Sequence, residues 1–218
     1  MRKLAIDVVS DVVCPWCLIG TRRLDQALAS FDGVDFEITM HPFLLDPTTP
    51  VEGEDLRERL TRKYGVPAAS MFARVEEAAR ESGIPLDFEK VRRSVNTISA
   101  HTLMRHAAPK GTQLALSAAL FDAYFLEGKD VGDHAVLAAI AAQHGFAEDE
   151  AIAILSDEGE RAMTKQQAAA MSRQGISGVP FFIFDRKLAF SGAQSVETMK
   201  QVIEKALSES ASAESAPA

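Results

Sequence analysis

Along the chain, the apolar positions change period several times, and each change predicts an element. Lys3 to Val9 is mostly apolar and β-branched towards its end, stops at Ser10-Asp11, and predicts a short buried strand. From Pro15 to Leu28 the apolar Trp16, Ile19, Leu24, Ala27 and Leu28 recur at helical spacing with Arg22, Arg23, Asp25 and Gln26 between them, which predicts an amphipathic helix. Asp32-Gly33 breaks the chain, and Val34, Phe36, Ile38 and Met40 then alternate with Asp35, Glu37 and Thr39, the period of a second strand ending near Pro42.

The stretch from Glu52 to about Gln174 reads as helical throughout, without a convincing strand run. Gly65-Val66-Pro67, Gly83-Ile84-Pro85, Pro109-Lys110-Gly111, Gly128 and Gly145 mark its breaks. Asn96 or Thr97 is placed to cap a helix running through His106, and Asp133 one running through Gln143. After Gly175 the character changes: Val179 to Phe184 and Lys187 to Phe190 are β-prone runs joined by the turn-forming Asp185-Arg186, which predicts a hairpin. Ser195 to Leu207 returns to helical spacing, and 208–218, made only of Ser, Ala, Glu and Pro, is expected to be a disordered tail. The order is strand, helix, strand, helical block, hairpin, helix, an α/β arrangement. Its sheet would be built from 1–45 and 175–207, around an inserted helical subdomain at 46–174.

A length of 218 residues suits one enlarged domain. With 47% hydrophobic and 25% charged residues, the composition is that of a globular protein. Lys plus Arg number 23 against 31 Asp plus Glu, and the net charge of −8 argues against nucleic acid as a partner. The apolar runs are too short and too interrupted by charge to span a membrane. Asp7 and Asp11 interrupt what would be the apolar core of a signal peptide, so a cytoplasmic location is expected.

The chain has two cysteines, Cys14 and Cys17, too few for a disulfide scaffold in a reducing compartment. They sit in Cys14-Pro15-Trp16-Cys17, where strand gives way to helix. Pro15 in the first helical turn removes an N–H that would be unpaired anyway. The unpaired amides and macrodipole at that helix start favour the thiolate form of Cys14. Cys17, one turn deeper, can reach Cys14, so Cys14 is the candidate attacking thiolate and Cys17 the resolving thiol. The same pair is half of a zinc site, and His101 and His106, with four residues between them, satisfy a zinc-ligand spacing. A proline-preorganised helix start beside a strand suits thiol exchange better, and we assign no metal.

Downstream, Gly178-Val179-Pro180-Phe181 places a proline at the opening of a strand, where it is tolerated. Asp11, three residues before Cys14, is a candidate proton relay, although an Asp in a strand-to-helix loop is commonly a turn or cap residue. Asp7, inside the first strand, would have its carboxyl pushed up if buried, an argument that an exposed edge position removes. Trp16 is a candidate contact for an apolar substrate peptide.

Four segments carry a resemblance: Ser10-Asp11-Val12-Val13-Cys14-Pro15-Trp16-Cys17, Gly20-Thr21-Arg22-Arg23-Leu24, Gly178-Val179-Pro180-Phe181-Phe182 and Ser191-Gly192-Ala193-Gln194. Together they resemble the DsbA family of the thioredoxin superfamily, and within it the FrnE-like group. The resemblance implies a thioredoxin-like fold with a helical insertion after the second strand, Cys14 as nucleophile, Cys17 as resolving thiol, and Pro180 as a cis-proline facing them. Val179, Pro15 and Trp16 would contact substrate, and His101, on a segment that also resembles the family, is a candidate to face the cleft, although a histidine there is more commonly solvated or a hydrogen-bonded structural residue. Trp16 stands where the exported oxidant DsbA has His, so a strongly oxidising potential is not expected. No further cysteine pair follows, unlike in some relatives. The resemblance implies no tightly bound cofactor, glutathione as a redox partner, and disulfide- or dithiol-bearing proteins or small thiols as substrates. A neighbouring family, the 2-hydroxychromene-2-carboxylate isomerases and kappa-class glutathione transferases, is similar in architecture but generally has Ser at the position of Cys14. It supplies a glutathione-dependent isomerase or transferase as the alternative. A third possibility is a chaperone-like module that binds unfolded chains through the helical block and apolar cleft.

Overall fold

A computed structural model describes residues 2–214, with side chains through 209. Strand β1 (Arg2–Ser10) leads into helix α1 (Pro15–Leu28) and strand β2 (Val34–Pro42), a parallel β-α-β unit. Strands β5 (Phe181–Phe184) and β6 (Leu188–Ser191) form the predicted hairpin, and helix α9 (Val196–Glu214) follows. The four strands lie in the order β2-β1-β5-β6, with β1 parallel to β2 and antiparallel to β5. The mixed α/β sheet is therefore assembled from the two ends of the chain, with β1 between two neighbours, as the thioredoxin-like resemblance implies.

The register explains which face is buried. Ile6 stands opposite Ile38 and Phe184, and Val8 opposite Met40 and Phe182, so period-two alternation puts these side chains on one face. Leu4, Ile6, Val8, Phe182 and Phe184 are all buried, and α1 and α9 pack together over this face. The other face carries Lys3, which pairs with Glu37 near the exposed end, and Asp7, which lies 2.7 Å from His41. Asp7 is thus half-buried and paired rather than isolated in a core. The sheet edge at β2 is covered by a side chain that imitates a strand: Gln113 Oε1 accepts from Met40 N at 2.9 Å and its Nε2 donates to Met40 O at 3.1 Å.

Between β2 and β5 the described residues hold α2 (Leu56–Tyr64), α3 (Ala68–Glu81), α4 (Ile98–Ala107), α5 (Gln113–Phe125), α6 (His134–Ala142), α7 (Glu148–Ser156) and α8 (Glu158–Arg173). Three expectations need correction. The block is not free of strand: β3 (Glu54–Asp55) pairs antiparallel with β4 (Arg93–Ser94), and two polar residues apiece leave no periodicity to read. A further helix break, not among those expected, falls at Asp157, whose carboxylate accepts from Gly159 N at 2.7 Å and Glu160 N at 3.1 Å and starts α8. The tail is not disordered from 208 on, because α9 continues to Glu214; once Met199, Ile203, Ala206 and Leu207 anchor the helix, Ala- and Glu-rich sequence propagates it without a new nucleation cost. The remainder of the expected tail, 215–218, lies outside the described residues.

Two of the four resembling segments are joined by one side chain. Arg23 of α1 donates from Nη1 to Ala193 O at 2.8 Å and from Nε to Ser82 Oγ at 2.8 Å, tying α1 to the turn before α9 and to the end of α3. Gly20, from the same segment, lets α1 approach β5: a Cβ there would meet Pro180 Cγ at 2.8 Å and Phe182 Cζ at 3.2 Å. Gly20→Ala gains roughly 0.5–1 kcal/mol of helix propensity, but overpacking against a proline ring costs about 1–3 kcal/mol. The expected result is a lower urea midpoint for the variant; an unchanged or higher midpoint would show that the Pro180 ring yields.

Candidate active site

The end of β1 sets the site. After Ser10 the chain turns, Cys14 N donates to Asp11 O at 3.0 Å, and Cys14 becomes the N-cap of α1 with Pro15 in the first turn. Leu18 N and Cys17 N both donate to Cys14 O, at 3.2 and 2.9 Å, so Cys17 lies one turn into the helix. Both cysteines are free thiols. Cys17 is fully buried, whereas Cys14 keeps 3% exposure.

Opposite Cys14, the Val179-Pro180 peptide bond is cis. The Val179 carbonyl faces the nucleophile, with Cys14 Sγ donating to Val179 O at 3.7 Å. The segments around residues 14 and 180, remote in sequence, are brought together because β5 pairs with β1 in the register Val9 to Phe181.

The two thiols differ in environment. Burial pushes the Cys17 thiol well up, and its hydrogen bond to Cys14 and the Cys14 charge add to this. The backbone of Asp11 acts against the shift, and the charge of its carboxylate acts with it. Asp11 is 1% exposed; its Oδ2 accepts from Leu45 N at 2.8 Å, and its Oδ1 lies 3.2 Å from His101 Nε2. Asp11 is therefore a buried connector rather than a solvated turn residue.

A cavity of about 420 Å3 opens beside Cys14. Val13, Pro15, Trp16 and Val179 form its thiol side, and Leu56, Leu60, Met71, Phe72 and Val75 from α2 and α3 form the opposite wall. Arg74 is the cation among its lining residues, 5.9 Å from the Trp16 ring, and no Asp or Glu lines it. Tyr124 stands at the back, donating to Arg93 O at 2.8 Å, and burial raises its phenol above the usual range.

Of the residues expected at the site, Cys14, Pro15, Trp16 and Val179 line this cavity, with Cys17 and Pro180 buried behind them. His101 does not face the cleft and needs correction: its side chain is 1% exposed and packs on Asp11, because α4 presents it to the end of β1. His106, its partner in the zinc spacing, lies instead 2.8 Å from Glu160. Among the described residues no group of three or more His, Cys, Asp or Glu is placed to hold a metal ion. The cavity wall from α2 and α3 was missed; Leu56, Leu60 and Tyr64 repeat every fourth residue, a stripe that signals a buried face without naming what it faces.

Sheet order, a cysteine pair at the first helix start and a cis-proline at its side define a thioredoxin-fold protein with a helical block between strands β2 and β5. The chain belongs to the DSBA-like thioredoxin domain family, which matches residues 5–204. It is similar to the crystal structure of a probable DsbA oxidoreductase from Streptomyces coelicolor, with 29% identity, a TM-score of 0.85, and coverage of 94% of this chain and 91% of that one. The cytosolic disulfide reductase DsbM from Pseudomonas aeruginosa, solved with GSH, shares the fold at 20% identity and a TM-score of 0.63, covering 93% of this chain and 98% of that one. A 2-hydroxychromene-2-carboxylate isomerase also shares it, at 14% identity and a TM-score of 0.72, covering 95% of this chain and 98% of that one.

The raised Cys17 thiol has a consequence for stability. The unfolded chain releases the Cys17 proton near the ordinary thiol value of about 8.5, while the native chain keeps it. The reduced protein is therefore expected to lose stability as pH rises above that value, with a slope approaching 1.4 kcal/mol per pH unit, roughly one proton's worth. Tyr124, raised by the same burial, adds to the loss from about pH 10 upward. Urea titrations from pH 7 to 10 should show the decline, and Cys17→Ala should remove most of it below pH 10; an unchanged slope in the variant would refute the assignment.

Proposed function

We propose that this protein is a cytoplasmic dithiol–disulfide oxidoreductase that works through Cys14-Pro15-Trp16-Cys17. The observation that carries the proposal is the unequal pair of thiols: Cys14 at the rim of an apolar cavity, its sulfur against the Val179 carbonyl, and Cys17 fully buried behind it. Cys14 as thiolate attacks a substrate disulfide, forming a mixed disulfide while one substrate sulfur leaves as thiolate. Cys17 as thiolate then attacks the Cys14 sulfur, the second substrate sulfur leaves, and the substrate has gained the two electrons the protein has lost. Run backwards, the same steps oxidise a dithiol, and in combination they isomerise disulfides.

The partners this site suits are disulfide- or dithiol-bearing proteins or small thiols that present an apolar surface to Trp16 and the α2–α3 wall. Backbone groups at Val179 offer an extended substrate segment a place to pair. Glutathione is the proposed redox partner and no bound cofactor is required; DsbM, with the same fold, is a cytosolic reductase solved with GSH. A strongly oxidising role is disfavoured because Trp16 stands beside Cys14 instead of a basic residue.

Equilibration in graded mixtures of reduced and oxidised glutathione, followed by alkylation and intact mass, tests the proposal. A Cys14–Cys17 disulfide should form and disappear reversibly, and Cys17→Ala should accumulate mixed disulfides on Cys14. Cysteines that never join, or a Cys14 that carries only a glutathione adduct in the wild type, would sink this reading and favour a glutathione-dependent isomerase or transferase. Holdase activity undiminished in a variant lacking both cysteines, without thiol exchange in the wild type, would favour the chaperone-like reading.

A further inference from the structure

Most arginines of α1, α2 and α3 are spent on the protein itself. Arg23 and Arg57 donate to backbone carbonyls, Arg59 and Arg62 to Glu54, and Arg80 pairs with Glu77. Arg74 of α3 differs: among the described residues it makes no hydrogen bond and no ion pair. Its guanidinium carbon lies instead 5.9 Å from the centre of the Trp16 ring, close enough for cation–π attraction. A guanidinium placed over an aromatic ring keeps its forked N–H donors for a further partner.

The acids nearest to Arg74 in sequence are held elsewhere. Glu76 accepts from Phe88 N at 2.9 Å, and Glu77 lies 2.5 Å from Arg80. The cavity that Arg74 lines has no Asp or Glu in its wall, and Leu56, Leu60, Met71 and Phe72 make the surface around it apolar. A carboxylate brought into this cavity therefore has Arg74 as its cationic partner, in surroundings that strengthen the attraction. Trp16, which carries the cation, stands two residues from Cys14 and lines the same cavity, so the anion anchor and the nucleophile are fixed to one turn of chain. The volume, about 420 Å3, falls in the range of small-molecule sites.

We propose that Arg74 selects the substrate by charge, so that the preferred substrates are small disulfides with a carboxylate a few bonds from the reacting sulfur. The proposal rests on the thiol–disulfide reading and adds to it a substrate class and the residue that sets it. The carboxylate docks on the guanidinium fork while the Cys14 thiolate attacks the nearer sulfur; that S–S bond breaks and its electron pair leaves on the other sulfur. Cys17 then attacks Cys14, and the anchored half leaves as the second thiolate. The disulfide has gained two electrons, the protein has lost them, and the two hydrogens of its thiols end on the two acidic thiols released. Trp16 is a positioning residue in this scheme, because it holds the cation beside the nucleophile without using its donors.

Three small disulfides of different charge test this: 3,3′-dithiodipropionate, with two carboxylates, neutral 2-hydroxyethyl disulfide, and cystamine, with two ammonium groups. Each is mixed with the reduced protein at about 0.15 M salt, where charges more than about 8 Å away are largely screened and the net charge of the protein does not mask a local cation. Acid quenching and intact mass give the rate of Cys14–Cys17 disulfide formation, and the rate of each disulfide with dithiothreitol corrects for its intrinsic reactivity. The corrected rates should run from anion through neutral to cation. Arg74→Met, which keeps an apolar stem on an exposed helix position, should slow the anionic disulfide about 10-fold, leave the neutral one within about twofold, and speed the cation; Arg74→Lys should recover part of the anionic rate. A wild type without preference for the anion, a preference that survives in Arg74→Met, or an equal loss with all three disulfides overturns the proposal. A wild type that forms no Cys14–Cys17 disulfide with any of them overturns the thiol–disulfide reading itself, a different result from a cycling protein indifferent to charge.

Discussion

A carboxylate taken out of water must be paired where it lies, and Asp11, 1% exposed, is the group on which this structure turns. Its two oxygens reach Leu45 N from the chain leaving β2 and His101 Nε2 from α4, while its own carbonyl accepts from Cys14 N. One residue thus fixes the turn that launches α1, the path of the chain into the helical block, and the seating of α4. If either partner is removed, the turn carrying Cys14 loses its anchor and a buried carboxylate is left with one contact, a far larger penalty than the loss of an ordinary surface hydrogen bond. The placement of Cys14 and Cys17 is therefore a consequence of how a carboxyl group three residues before Cys14 is buried.

The helical block between β2 and β5 supplies what the sheet cannot. The sheet brings Val179 and Cys14 within contact, but by itself leaves that junction open on one side. Leu60, Met71, Phe72 and Val75 close it with apolar surface, and Arg57 braces the wall by donating to Phe88 O and Val91 O. Arg23 does the corresponding work on the other flank, holding α1 to α3 and to the turn before α9. These arginines act through planar groups that reach several carbonyls at once, which a lysine could not reproduce.

What the sequence made legible follows from how local each signal is. Helix α1 appears with the bounds its periodicity predicts, Pro15 to Leu28, because its apolar stripe, proline start and polar face all lie within it. The β5–β6 turn was legible for the same reason: Asp185 and Arg186, at φ 46° and 56°, take up the left-handed conformation in a turn closed by Lys187 N on Phe184 O, although three residues rather than the expected two separate the strands. Asp133 was readable as a cap, and it accepts from Ala135 N at 2.7 Å. His101 was misplaced because spacing gives the face of α4 on which it sits, not the side of the site on which α4 docks. The break at Asp157 was missed although Ser156, Asp157 and Gly159 together are a cap and breaker signal in the sequence. The walls of the cavity were visible as stripes on α2 and α3, but only the docking of those helices over Trp16 turns a stripe into a binding surface.

Dithiol chemistry has a conflict built into it. A substrate that lies against Cys14 needs a dry, apolar surface to exclude water from the exchanging sulfurs, yet Cys17 must gain or lose a proton at every turn. If both demands were met in the same cavity, water reaching Cys17 would have to pass the bound substrate. Here Cys17 is fully buried behind Cys14 and is not among the residues that line the apolar cavity. The chain's excess of acidic residues is kept out of the substrate side as well, where Arg74 is the charged group among the lining residues. Arg74 thus puts a positive charge in the lining of this cavity despite the net charge of −8 of the protein as a whole.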